Sequence, residues 1–214
     1  MEADRFSETK FVVGFLREYF SFLGDPFWLF SSFRMPSTVT ESKTGADFIL
    51  NGSVFFQFKR SDYLQSRRGL PSDQRRISKS FYPCYRFKVY NSSHTKQFDT
   101  LRLLATDKRN HCAYIAPLFH TSREFDEYFS QQSIFRNSVS IELSQFSEGE
   151  FRGSRFREGA THHIIFNRKN ETCWFCSNPR KITAESAYQL LQRPFQERIL
   201  LSEYLDDISK GYNN

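Results

Sequence analysis

Apolar residues Phe11, Val12, Phe15, Leu16, Tyr19, Phe20 and Leu23 recur at helical spacing, which predicts an amphipathic helix over residues 8–23 that stops at Gly24. Glu18 falls at the border of its apolar stripe, beside Phe11, Phe15 and Phe22. A carboxylate there can lean toward a site at the edge of the core, or it is an exposed helix charge. Residues 27–33 read as a short strand or buried turn, and residues 36–45 as a loop. Two strands are expected at 46–50 and 54–60, joined through Asn51-Gly52. Residues 61–80 are polar and broken at Gly69-Leu70-Pro71, which suggests a loop with some helix.

Further along, 85–90 and 112–116 read as strands and 97–106 as a helix with Phe98, Leu101 and Ala105 inward. Thr121-Ser-Arg-Glu124 has the form of a capping box, ahead of a helix with Phe125, Tyr128 and Phe129 on one face. Residues 138–146 alternate weakly as a strand, and 162–167 with 172–175 read as a hairpin. Two helices are expected to close the chain, over 183–193 and 196–209, separated by Pro194. Strands and helices intermix throughout, so the expected fold is α/β, mixed α+β, with a central mixed sheet flanked by helices. The 214 residues suit a single domain, its core over about residues 8–180, with the closing helices as an extension.

Composition sharpens this. Phenylalanine alone fills 25 positions and aromatics make up 17% of the chain, so the core is built from rings. No stretch is long and apolar enough to be a signal peptide or a spanning helix, which leads to the expectation of a cytoplasmic protein with no membrane partner. Cys84, Cys112, Cys173 and Cys176 make no disulfide framework, and Cys173-Trp-Phe-Cys176 lacks a second pair to complete a zinc site. Reduced thiols are expected. His94, His111 and His120 have no nucleophile motif beside them.

Charge is more directive. The chain carries 30 Lys and Arg against 24 Asp and Glu, and residues 59–88 hold nine of the former and two of the latter. The remainder holds 21 and 22, so the whole positive excess lies in that one segment. Arg60, Arg67, Arg68, Arg75, Arg76 and Lys79 form its basic run, with Tyr63, Phe81, Tyr82 and Tyr85 interleaved. Such a mixture suits phosphates and stacked bases of a nucleic acid; a solvated loop is the alternative.

This segment starts at the end of a chemically suggestive hairpin. Gln57 and Lys59 share one face of their strand, and Phe56 and Phe58 share the other. Whether Asp47 joins them depends on register. A two-residue Asn51-Gly52 turn pairs Asp47 with Phe56 and turns it away, whereas a three-residue loop over Asn51-Gly52-Ser53, or a bulge, brings it to Gln57. An aspartate there binds a hard cation, and a lysine there stabilises charge or helps position an attacking water.

Helical Glu18, then Gly45-Ala46-Asp47-Phe48-Ile49-Leu50 and Phe56-Gln57-Phe58-Lys59, resemble the PD-(D/E)xK nuclease superfamily with its restriction-endonuclease-like fold. The resemblance implies that Asp47, Gln57 and Glu18 hold magnesium, with manganese as a substitute, and that Lys59 assists the water. Gln57 departs from the pattern by putting an amide where an acid is usual, though an amide oxygen still ligates a hard cation. Glu41, six residues before Asp47, is either a second source of the missing carboxylate or an exposed loop glutamate. The expected function is a metal-dependent endonuclease acting on nucleic acid, DNA before RNA, with restriction, antiviral defence or repair implied by kinship. The alternative is an inactive relative that binds nucleic acid or a protein. A homodimer, or a protein partner docked on the C-terminal helices, is a further expectation.

Overall fold

The computed structural model describes residues 4–23, 33–36, 44–50, 53–66, 81–90, 95–146, 162–168, 172–175 and 180–189. Helix α1 spans Glu8–Leu23, the bounds its periodicity predicts. Strands β1 (Phe33–Arg34), β2 (Phe48–Leu50) and β3 (Val54–Phe58) follow, then β4 (Asp62–Leu64), β5 (Cys84–Tyr90), α2 (Thr95–Leu104) and β6 (His111–Pro117). Helix α3 covers Ser122–Ser130 and starts at the expected capping box, with Thr121 accepting from Glu124 N–H and Glu124 reaching back to Thr121 N–H. Strands β7 (Ser138–Glu142), β8 (His162–Phe166), β9 (Thr172–Phe175), β10 (Arg180–Thr183) and β11 (Glu185–Ser186) complete the order.

The mixed α and β content matches expectation, but the described residues form two sheets where one was expected. The first runs β1-β2-β3-β6-β7-β11, and only its β3/β6 pair is parallel. The second runs β10-β9-β8-β5-β4 and is antiparallel throughout. Two readings change with it. Asp62–Leu64, expected as loop, pairs with Arg86–Cys84 as an edge strand. Thr183, expected to open a helix, ends β10 opposite Thr172. Helical structure begins only after Ser186, whose hydroxyl accepts from Gln189 N–H at 3.2 Å. The second closing helix, over 196–209, lies outside the described residues, as do Glu41 and residues 67–80.

Alternation divides the first sheet cleanly. Phe48, Leu50, Val54, Phe56, Phe58, Ala113 and Ile115 pack with α1 and α3. Phe15, fully buried, meets the rings of Phe56, Phe58 and Phe135 at centroid separations of 4.5 to 6.3 Å. Ile49, Phe55, Cys112, Tyr114 and Ala116 point the other way and pack with Phe87, Val89, Ile164 and Phe166 of the second sheet, and with Phe98 and Leu101 of α2. The architecture is therefore helix, sheet, sheet. Beyond the C-terminal end of β6, Arg168 holds the layers together, donating to Leu118 O at 2.9 and 2.7 Å and to Glu124 at 3.2 Å. No helix among the described residues is long and apolar enough to cross a membrane.

Burial fixes the state of the described cysteines. Cys84, Cys112 and Cys173 are free and buried, and loss of solvent pushes the first two thiols up to about 12 and the third higher still. Cys176 lies outside the described residues.

Candidate functional site

The β2–β3 register answers the question the sequence leaves open. Leu50 pairs with Val54, Ile49 with Phe55 and Phe48 with Phe56, so three residues, 51–53, separate the strands. This is the odd loop that brings Asp47 to Gln57. The backbone also steps aside at this point, because Asp47 N–H donates to Phe56 O at 2.8 Å. The Asp47 carboxylate then accepts Phe58 N–H through Oδ2 at 2.7 Å. These two bonds bracket Gln57.

Strand β6 supplies the floor. Parallel pairing sets Gln57 beside Tyr114, and the ladder continues past β3 with Lys59 N–H donating to Ile115 O at 2.9 Å. Lys59 Nζ sits 5.5 Å from the centroid of the Tyr114 ring. Burial drives the Tyr114 phenol far above its ordinary pKa, and the charge of Asp47 adds to the effect. Asp47, Gln57 and Lys59 thus converge around Tyr114, at the C-terminal end of the parallel β3/β6 pair. Gln57 is 2% exposed and Tyr114 fully buried, while Asp47 and Lys59 are half-buried.

Glu18 is elsewhere. It leans into the core as its place on the stripe allows, but on the α1 side of the first sheet, opposite the Gln57 face. Its carboxylate accepts the N–H groups of Ile134 and Phe135 at 2.7 and 2.9 Å. Desolvation raises its pKa, against the pull of those two bonds and of Arg17. The structure does not bring it together with Asp47, Gln57 and Lys59; there it satisfies two backbone donors in the turn before β7.

Of the basic run, Arg60 is exposed directly after Lys59, and Arg67, Arg68, Arg75, Arg76 and Lys79 lie outside the described residues. Arg86, counted in the same charge excess, faces Asp62 at 3.6 Å, and Asp62 also meets Arg5 at 3.6 Å. Asp62 is one of the two acids of that segment, so this pair leaves its positive excess unchanged.

The donor set for a cation is small. Among the described residues no three His, Cys, Asp or Glu side chains gather in a way that could hold a metal ion. Asp47 offers one charged oxygen donor group and Gln57 one neutral carbonyl. This fits magnesium, which keeps several waters and takes only one or two carboxylates besides substrate phosphate, and it does not fit a closed structural site.

Tyr114 is the residue the sequence did not reveal. Alternation in β6 groups it with Cys112 and Ala116, but in a chain this rich in rings a tyrosine on an apolar face carries no signal of its own. Only the β3/β6 pairing, between segments more than 50 residues apart, sets it under the hairpin. No protein-family model, curated protein or solved structure matches the chain.

Proposed function

We propose that the protein is a metal-dependent nuclease that hydrolyses phosphodiester bonds, DNA before RNA, with an amide in place of the second acid of a PD-(D/E)xK site. The reading rests on one observation: Gln57 of β3, Asp47 just before β2 and Lys59 just after β3 all bear on Tyr114 at the end of a parallel pair. A bound magnesium or manganese ion supplies Lewis-acid polarisation of the phosphoryl oxygen and a more acidic water. Asp47 and the Gln57 carbonyl would hold the ion, with water and substrate phosphate completing its coordination. Lys59 keeps an ammonium where negative charge develops on phosphorus oxygens. In the net reaction water adds to phosphorus, the ester P–O bond to one sugar breaks, and the departing sugar oxygen takes up a proton. Arg60 and the basic run after it contact flanking phosphates, so affinity falls steeply with salt. Restriction, antiviral defence and repair are the settings that the resemblance suggests.

A second reading has its own support. Asp47 Oδ2 is already engaged by Phe58 N–H, and Gln57 adds no charge to the site. A nucleic-acid-binding module without catalysis needs nothing more. The full chain, incubated with single- and double-stranded DNA and RNA in magnesium or manganese, separates the two. Cleavage by the wild type that disappears in Lys59→Ala while binding persists supports the nuclease. Salt-sensitive binding without any cleavage supports the second reading.

A further inference from the structure

The Tyr114 hydroxyl is buried and has no hydrogen-bond partner, in a layer otherwise packed with apolar side chains. A buried hydroxyl without a partner costs about 1–3 kcal/mol, and phenylalanine would fill the same space without that cost. The ring alone therefore does not account for a tyrosine here. The polar groups around it are those of the candidate site: Gln57 is its register partner, Lys59 lies over its ring, and Asp47 is the charge that bears on it.

We propose that Tyr114 is a positioning residue of this site, whose O–H donates to an internal water that in turn holds the Asp47 carboxylate in its orientation for the cation. A single internal water between Tyr114 Oη, Asp47 and Gln57 would have the two to four polar partners that a buried water requires. Hydrogen bonds to a ligating carboxylate fix its direction, and losing one weakens metal binding or activity by about 10-fold or more. Phe58 N–H constrains Asp47 from the strand, and Tyr114 constrains it from beneath. The inference rests on the metal-dependent reading above.

Tyr114→Phe tests it, because the ring and its packing remain. Three quantities are measured on the full chain: the melting temperature without metal, the dissociation constant for manganese alone, and kcat and KM for cleavage. The expected result is a melting temperature equal to or above wild type, manganese affinity weaker by about 10-fold, and a lower kcat at unchanged KM. Wild-type manganese affinity and kcat in Tyr114→Phe would overturn the role of Tyr114 and leave the nuclease standing. A wild type that neither binds manganese nor cleaves would overturn both. Tyr114→Leu, which removes ring and hydroxyl together, is expected to lose stability as well, separating the effect of packing from that of the hydroxyl.

Discussion

The Asp47 carboxylate accepts the backbone N–H of Phe58 at 2.7 Å, so the acid of the hairpin also ties down the strand that carries Gln57 and Lys59. Phe58 N–H points toward β2, away from β6, because the next N–H, that of Lys59, is the one bonded to Ile115. Strand β2 has ended at Phe48, and the aspartate side chain takes the place of a backbone acceptor. The strand and the proposed cation site therefore draw on the same carboxylate.

Asp47→Ala and Asp47→Asn separate these two roles. Alanine leaves Phe58 N–H without an acceptor beside a fully packed ring and is expected to cost about 1–3 kcal/mol. Asparagine keeps a side-chain carbonyl and is expected to cost less. Metal-dependent cleavage should be lost in both. Urea unfolding midpoints give the first difference and a cleavage assay the second; equal destabilisation by the two substitutions would refute the role of this bond.

Local pattern accounts for what was readable along the chain. The spacing of Phe11 to Leu23 sets α1 and Thr121 with Glu124 sets the start of α3, whereas the sequence reduces the face of Asp47 to the parity of one loop and leaves the choice to the β2–β3 register. What escaped depends on partners far away in sequence. Glu18 has a border position that suits a site or a core, and only the distant N–H groups of Ile134 and Phe135 decide between them. Asp62–Leu64 carries no strand pattern strong enough to outweigh its polar surroundings, and pairing of Tyr63 with Tyr85 makes it one. The second sheet was hidden for the same reason: β5, β8 and β9 read as strands individually, but nothing local says that they avoid the sheet of β3 and β6.

Gln57→Glu probes the cation site directly. The side chain is 2% exposed, and a second carboxylate beside Asp47 would be both desolvated and repelled. Without metal the variant is expected to be less stable than wild type by about 2 kcal/mol or more. Added magnesium relieves that repulsion, and any ligand that binds only the folded state raises its stability. Thermal scans in chelator and then in magnesium should show a larger gain for Gln57→Glu than for wild type. An equal gain would mean that no cation sits at Gln57.

Glu18 and Glu124 should bend the stability–pH profile in opposite directions. Burial raises the Glu18 pKa above 4.5, so its contribution is fully present below the unfolded value and is lost as pH rises through the folded one. At Glu124 desolvation is outweighed by His120 N–H, by the Thr121 hydroxyl and N–H, and by the charge of His120, leaving the pKa below 4.5. Its contribution is present above the unfolded value and is lost as pH falls through the folded one. Compared with wild type from about pH 3 to about pH 8, the deficit of Glu18→Gln should shrink as pH rises, and that of Glu124→Gln should shrink as pH falls. Denaturant midpoints across this range give both slopes, and slopes of the same sign would contradict the assignment.

Gly45→Ala should damage fold and site together. Gly45 has φ of 72°, and a Cβ built there would run into Gln97 O and lie 3.0 Å from Leu101 Cβ. The first of these atoms is helix backbone in α2 and has no rotamer to turn aside. Left-handed strain alone costs a non-glycine residue about 1–2 kcal/mol, and the overlap adds to it. Gly14→Ala offers the contrast. Its Cβ would meet side chains alone, the Phe125 ring at 2.9 Å and the Phe129 ring at 3.4 Å, and the gain of about 1 kcal/mol from replacing glycine inside a helix opposes that clash. Because Gly45 stands two residues before Asp47, any shift that frees its Cβ also moves the carboxylate away from Phe58 N–H. Gly45→Ala is therefore expected to lose more than about 2 kcal/mol and most of its manganese affinity, with Gly14→Ala milder in the first and unchanged in the second. Unfolding and metal titration of the two variants side by side check this, and a Gly45→Ala protein with wild-type manganese affinity would show that the hairpin holds Asp47 without help from α2.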